Sequence, residues 1–188
     1  MKKAKPLVLI VDDNSVNIDL LVNTLKNDYR LGIAKNGPKA LEYVGKHMPD
    51  LILLDIMMPG MNGYEVCTRL KAGTRTRDIP VIFITAMSEA GHKTRGFEVG
   101  ALDYITKPFH AAEVKARVKT QLALKEAHDC DIYIASKIQK TLLLGSPPRD
   151  IPGIQISQLT VASQKVDGDF YDFFKHSNLC FDIVVGDV

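Results

Sequence analysis

Asp12, Asp13, Asp55, Thr85 and Lys107 each stand at or just beyond the end of a short apolar run. The runs are residues 7–11, 51–54, 81–84 and, more weakly, 104–105. Three carboxylates, a hydroxyl and an amine form a set that can handle phosphate. A carboxylate can attack a phosphoryl group and form an acyl phosphate. Carboxylate and carbonyl oxygens suit Mg²⁺, which keeps some waters and accepts a phosphoryl oxygen. A metal and a lysine together stabilise charge on the equatorial oxygens, and the Thr85 hydroxyl can donate to the group once attached. Carboxylates held a few Å apart repel by about 4 kcal/mol per close pair near a protein surface, and a divalent cation removes that penalty.

These residues are far apart in sequence, so tertiary structure must gather them. The runs are apolar on both faces, as expected of strands covered by helices on each side. A weaker strand is expected at residues 31–34. Helical stripes lie between the runs: Ile18, Leu21, Val22 and Leu25; Ala40, Leu41 and Val44; Val66 and Leu70; Thr94, Phe97 and Ala101, weaker; and Val114, Val118 and Leu122. Strand and helix alternate five times, which predicts a doubly wound α/β fold with a parallel sheet and right-handed crossovers. In such a sheet, function sits at the carboxyl ends of the strands. Each residue alone has a plainer role. Asp12-Asp13 can cap a helix, Asp55 can be solvated, Thr85 can be a strand residue and Lys107 a surface charge. The complete set in this order favours a shared site.

The chain has 188 residues, 46% hydrophobic and 24% charged, with a net charge of +2. That balance fits a globular domain plus a remainder. No basic stripe calls for nucleic acid or a membrane surface, and no apolar run approaches the ~20 residues of a spanning helix. The basic start, Met1 to Pro6, lacks the apolar region of a signal peptide. Cys67, Cys130 and Cys180 are scattered and odd in number, which argues for a reducing cytoplasm and against a disulfide framework or zinc site.

The stretches Val8-Leu9-Ile10-Val11-Asp12-Asp13-Asn14, Leu53-Leu54-Asp55-Ile56-Met57-Met58-Pro59-Gly60-Met61-Asn62-Gly63, Ile84-Thr85-Ala86 and Asp103-Tyr104-Ile105-Thr106-Lys107-Pro108-Phe109 resemble those of response-regulator receiver domains. The resemblance covers residues 6–122. It implies a flavodoxin-like five-stranded sheet of order 2-1-3-4-5. It implies that Asp55 is the phosphoacceptor and that Asp13, Asp55 and the Met57 backbone carbonyl ligate Mg²⁺, with Asp12 acting through water. Thr85 and Lys107 would bind the phosphoryl group, Tyr104 would move inward with Thr85 on switching, and Lys107-Pro108 would be cis. Leu102 departs from the family, which commonly has an acid there on a surface used for dimerisation.

Beyond the receiver, residues 111–127 read as a long helix, and Asp129-Cys130-Asp131 after it are suited either to breaking it or to capping a successor. A second stripe, Ile132, Ala135, Ile138 and Leu142, runs towards Gly145 and Pro147-Pro148. Strand-like runs follow at residues 154–161 and 181–185. The order Ile151-Pro152-Gly153-Ile154, Val166-Asp167-Gly168-Asp169-Phe170-Tyr171-Asp172-Phe173-Phe174 and Val184-Val185-Gly186-Asp187-Val188 resembles the start of PPM-type serine/threonine phosphatases. That implies Asp169 and Asp187 as ligands of a Mn²⁺ or Mg²⁺ pair activating water. Asp167 stands where a second glycine is usual. Taken singly, Asp167, Asp169 and Asp172 are solvated turn residues. Some forty residues cannot build an independent core, so this part is expected to be an incomplete α+β domain without turnover of its own.

The expected organisation is a receiver at residues 1–122, a helical linker at 123–145 and a phosphatase-like fragment at 146–188. The partners would be a sensor histidine kinase or phosphotransfer protein, a phosphoserine or phosphothreonine protein for the intact output, and a second copy through the linker. The alternative is an adaptor that only binds proteins. No recognition helix supports a transcription regulator.

Overall fold

The structure, a computed structural model, describes residues 4–86, 99–138, 170–177 and 180–186. The chain forms two compact units, Met1–Lys125 and Glu126–Val188.

The first unit holds strands β1 (Leu7–Val11), β2 (Arg30–Ala34), β3 (Leu51–Asp55), β4 (Val81–Thr85) and β5 (Asp103–Thr106). They form one parallel sheet of order β2-β1-β3-β4-β5, as expected. Successive strand residues point to opposite faces. On one face Leu9, Val11, Ile52, Leu54 and Phe83 pack with Ala40 and Val44 of helix α2 (Gly37–His47) and with Val66 and Leu70 of helix α3 (Gly63–Ala72). On the other, Val8, Ile10, Leu53, Ile84 and Ile105 pack with Ile18, Leu21 and Leu25 of helix α1 (Ser15–Leu25) and with Val114 and Val118 of helix α4 (Ala111–Ile138). This is why β1, β3 and β4 are buried at every position. Each fully buried Leu or Ile contributes about 1.5–3 kcal/mol, so the two cores outweigh any local helix preference. Edge strand β2 is partly exposed, which explains its weaker pattern in the sequence.

Asparagines begin three of the helices. Asn14 accepts from the Val16 amide at 2.9 Å and Asn36 from that of Lys39 at 3.0 Å. Asn62 and Glu65 form a reciprocal capping box at 2.9 and 3.0 Å. The cap of α1 is thus Asn14, and the capping role open to Asp12-Asp13 is not used. The expected helix around Thr94 and Phe97 lies outside the described residues, although Ala101 is buried.

Helix α4 runs unbroken through Asp129-Cys130-Asp131, where a break was open. Asp is a poor helix former by only a few tenths of a kcal/mol, and no Gly or Pro interrupts the hydrogen bonding. Its second stripe is partly as expected: Ile132 and Ala135 are half-buried, Ile138 is exposed, and Leu142 lies outside the described residues. No described helix is long and apolar enough to cross a membrane.

The second unit contains an antiparallel hairpin, β6 (Phe170–Lys175) with β7 (Phe181–Gly186). The run at 181–185 is β7. The run at 154–161 lies outside the described residues. β6 is a strand beyond those the sequence predicts: its aromatic composition suits one, although the motif there points to metal binding.

Cys67 gives a direct test of packing. It is buried, its thiol donates to the Val99 carbonyl at 3.4 Å, and burial pushes its pKa up to about 11. Cys130 and Cys180 are exposed. A disulfide reagent near pH 8 is expected to titrate two thiols quickly and the third only on unfolding. Three equally fast thiols in the folded protein would contradict this core.

Candidate functional site

Parallel register brings the strand ends together. Val11 pairs with Leu54, Asp55 with Ile84, and Thr85 with Thr106. The Lys107 amide then donates to the Thr85 carbonyl at 2.7 Å. Asp12, Asp55, Thr85 and Lys107 therefore lie at one edge of the sheet. Asp12 is 0%, Thr85 2% and Asp55 3% exposed, whereas Asp13 is exposed.

Asp12, Asp13 and Asp55 can each offer one carboxylate oxygen so that the three lie within 4.8 Å of one another. Lys107 spans the buried two, with Nζ 2.9 Å from Asp12 Oδ2 and 2.9 Å from Asp55 Oδ2. Burial, reinforced by the Asp12 charge, holds the Asp55 carboxyl above its ordinary range against the opposing pull of Lys107 and the Met57 amide. Burial pulls the Lys107 amine down, but its bonds to Asp12 and Asp55 outweigh this and leave it raised. Three carboxylates against one ammonium leave two formal negative charges at a cluster of hard oxygen donors. The residues present therefore fit a divalent cation such as Mg²⁺.

The Met57 amide lies 3.4 Å from Asp55 Oδ1, and the Met57 side chain is 59% exposed. The Lys107–Pro108 peptide is cis. Tyr104 is half-buried against the core beside Phe83, with the Arg117 guanidinium 5.9 Å from its ring centroid. Arg117 also bonds Asp103 at 2.7 and 2.9 Å and Glu113 at 3.0 Å. Leu102 is 53% exposed. Asp167, Asp169 and Asp187 lie outside the described residues.

Three residues near the site were missed in the sequence. Asn17 donates to both oxygens of Asp12, and Arg117 ties Tyr104 to Asp103. Gly63 begins α3 hard against the strand: a Cβ there would clash with the Asp55 carbonyl oxygen and sit 2.8 Å from Ile56 Cα. Its glycine stands in the quoted motif, but only the close approach explains it. Gly63→Ala is expected to cost about 1–3 kcal/mol through overpacking, read as a lower melting temperature with shifted Asp55 and Ile56 amides. An unchanged melting temperature would show that the helix can retreat freely.

Comparison with known proteins agrees with this geometry. The family description "Response regulator receiver domain" matches residues 8–119. The response regulator PleD of Caulobacter vibrioides is 43% identical over 119 residues, which are 63% of this chain and 26% of PleD. This chain thus spans about a quarter of the length of the first curated relatives it matches. The signal receiver domain of a signal transduction histidine kinase from Syntrophus aciditrophicus is 35% identical, with a TM-score of 0.59, over 63% of this chain and 90% of that one. The receiver domain of a Pseudomonas aeruginosa sensor histidine kinase, solved with a magnesium ion in its active-site cleft, is 28% identical, with a TM-score of 0.60, over 64% of this chain and 99% of that one. By its sheet order, its acidic cluster and this match, the chain belongs to the response regulator receiver domain family.

Proposed function

We propose that Asp55 is the phosphoacceptor of this phosphorelay switch and that Asp13, Asp55 and the Met57 carbonyl hold Mg²⁺, with Asp12 acting through water. The observation that carries this reading is Lys107 bridging the buried Asp12 and Asp55 at 2.9 Å each beside Asp13. An Asp55 oxygen attacks phosphorus as the bond from phosphorus to the donor breaks, leaving an acyl phosphate on Asp55. Mg²⁺, when bound, offsets charge on the carboxylates and the phosphoryl oxygens. Lys107 and the Thr85 hydroxyl then bind the phosphoryl group, and Tyr104 follows Thr85 inward. That shifts a two-state equilibrium by about 1–3 kcal/mol. The donor is a sensor histidine kinase, a phosphotransfer protein or a small acyl phosphate. Intact mass after incubation with acetyl phosphate tests the reading. A gain of one phosphoryl group that disappears with a chelator is expected; modification indifferent to the chelator would overturn the metal's role.

The proposed organisation is a receiver at residues 1–122, a linker at 123–145 and an output fragment at 146–188, in a cytoplasmic protein. We take the output to be a PPM-type serine/threonine phosphatase with Asp169 and Asp187 on a Mn²⁺ or Mg²⁺ pair. The hairpin supports this: Phe170 and Gly186, the sequence neighbours of those aspartates, are paired across it. A protein carrying the whole output domain should hydrolyse phosphoserine peptides in a metal-dependent way; none would favour the adaptor alternative. Self-association through α4 belongs to the same reading, since Leu124, Tyr133, Ile134 and Ile138 are all about half exposed or more. Sedimentation at high concentration should show a dimer, and a monomer throughout would remove the linker's role.

A further inference from the structure

Asp12 differs from the other two acids in how it is held. Its Oδ1 accepts from the Asn14 amide at 2.8 Å and from Asn17 Nδ2 at 3.1 Å. Its Oδ2 accepts from Asn17 Nδ2 at 3.0 Å and from Lys107 Nζ at 2.9 Å. A carboxylate has about four lone-pair positions, and here three donors make four contacts, the Asn17 amide being bifurcated between the two oxygens. Asp55 is held more loosely, by Lys107 at 2.9 Å and the Met57 amide at 3.4 Å. Asp13 is exposed.

The donors on Asp12 are not equivalent. Lys107 is shared with Asp55, so it can follow charge that arrives there. The Asn14 amide belongs to the chain turning into α1 and holds one oxygen. Asn17 lies in the first turn of α1 and reaches both oxygens from one side chain. Its side-chain amide bonds Asp12, whereas the Lys107 ammonium is divided between Asp12 and Asp55.

Resting on the cation reading above, we propose that Asn17 is a positioning residue that keeps Asp12 from ligating the cation directly, and thereby favours Mg²⁺ over Ca²⁺. Outer-shell hydrogen bonds orient metal ligands and tune their affinity. With both Asp12 oxygens occupied, the acids with room for a direct bond are Asp13 and Asp55. A site poor in direct protein ligands suits Mg²⁺, which dehydrates reluctantly and keeps several waters. Ca²⁺ takes six to eight oxygens and accepts bidentate carboxylates, so it gains more from a third acid. Removing Asn17 frees lone pairs on Asp12 and supplies that acid.

Calorimetric titration of the unphosphorylated full chain with Mg²⁺ and with Ca²⁺ tests this without any activity readout. Asn17→Ala and the bulkier, donor-free Asn17→Leu are compared with wild type after melting curves establish that each is folded. The ratio of Ca²⁺ to Mg²⁺ affinity is expected to rise about tenfold in both variants. In the wild type, the Asn17 side-chain amide resonances should keep their hydrogen-bonded position when Mg²⁺ is added. An unchanged ratio in both variants, or an Asn17 amide released by Mg²⁺, overturns the proposal while leaving the site itself intact. A wild-type chain that binds neither cation overturns the underlying cation reading, and this inference with it.

Discussion

Asp55→Asn is expected to reduce phosphoryl uptake from acetyl phosphate by about a thousandfold or more, because it removes the proposed nucleophile and leaves the surroundings in place. Asn is close in shape to Asp, and its carbonyl oxygen can still accept from the Met57 amide, now 3.4 Å from Asp55 Oδ1. Intact mass over time reads the effect, and a variant modified as fast as wild type would reject Asp55 as the acceptor. The same variant carries a stability signature. The Asp55 pKa is raised in the fold, first by burial and then by Asp12. A raised folded pKa contributes stability that is present below the unfolded value and lost as pH rises through the folded one. Without metal, Asp55→Asn should therefore be more stable than wild type at neutral pH. That advantage should close as acid protonates Asp55 in the wild type. A gap that widens on acidification would contradict the sign of the shift.

Lys107→Ala is expected to destabilise the metal-free protein by about 3 kcal/mol, since it leaves two buried carboxylates without their shared cation. Asp12 is 0% and Asp55 3% exposed, so water replaces the ammonium poorly. Lys107 opposes the upward push on Asp55, so its loss raises that pKa further and shifts the acid-stabilised window towards neutral pH. The deficit should therefore be larger at pH 7 than near pH 5. Mg²⁺ should restore much of it. Removing the ammonium leaves the acids to bind the cation more tightly than in wild type, and at saturating Mg²⁺ each tenfold gain in affinity returns about 1.4 kcal/mol of the deficit. Chemical denaturation at two pH values, with and without Mg²⁺, checks both points. A deficit that ignores Mg²⁺ would mean that Lys107 supports the fold through its packing rather than its charge.

The sheet was legible in the sequence where burial leaves no choice. β1, β3 and β4 are apolar at nearly every position because helices cover both faces, and that pattern needs no tertiary knowledge. Asp12, Asp55, Thr85 and Lys107 were visible because parallel strands end on the same edge. Edge strand β2 was fainter, since only one neighbour and part of its surface are covered. α4 was harder: whether Asp129 and Asp131 end a helix depends on competing capping and helical bonds, each worth little, and here the helix continues. β6 hid behind a motif whose composition also suits a strand.

What only the tertiary structure decided is the traffic of hydrogen bonds around the acids. Asn17 follows Asp12 by five residues, and nothing in that spacing shows that its amide turns back onto both Asp12 oxygens; the packing of α1 against β1 decides it. The need for glycine at Gly63 arises because α3 begins against the Asp55 carbonyl. Arg117 meets Tyr104 and Asp103 because α4 lies beside β5. Composition and period report which faces are buried. They carry no information on which donor reaches which acceptor across elements, because that depends on angles of a few degrees and distances of a few tenths of an ångström.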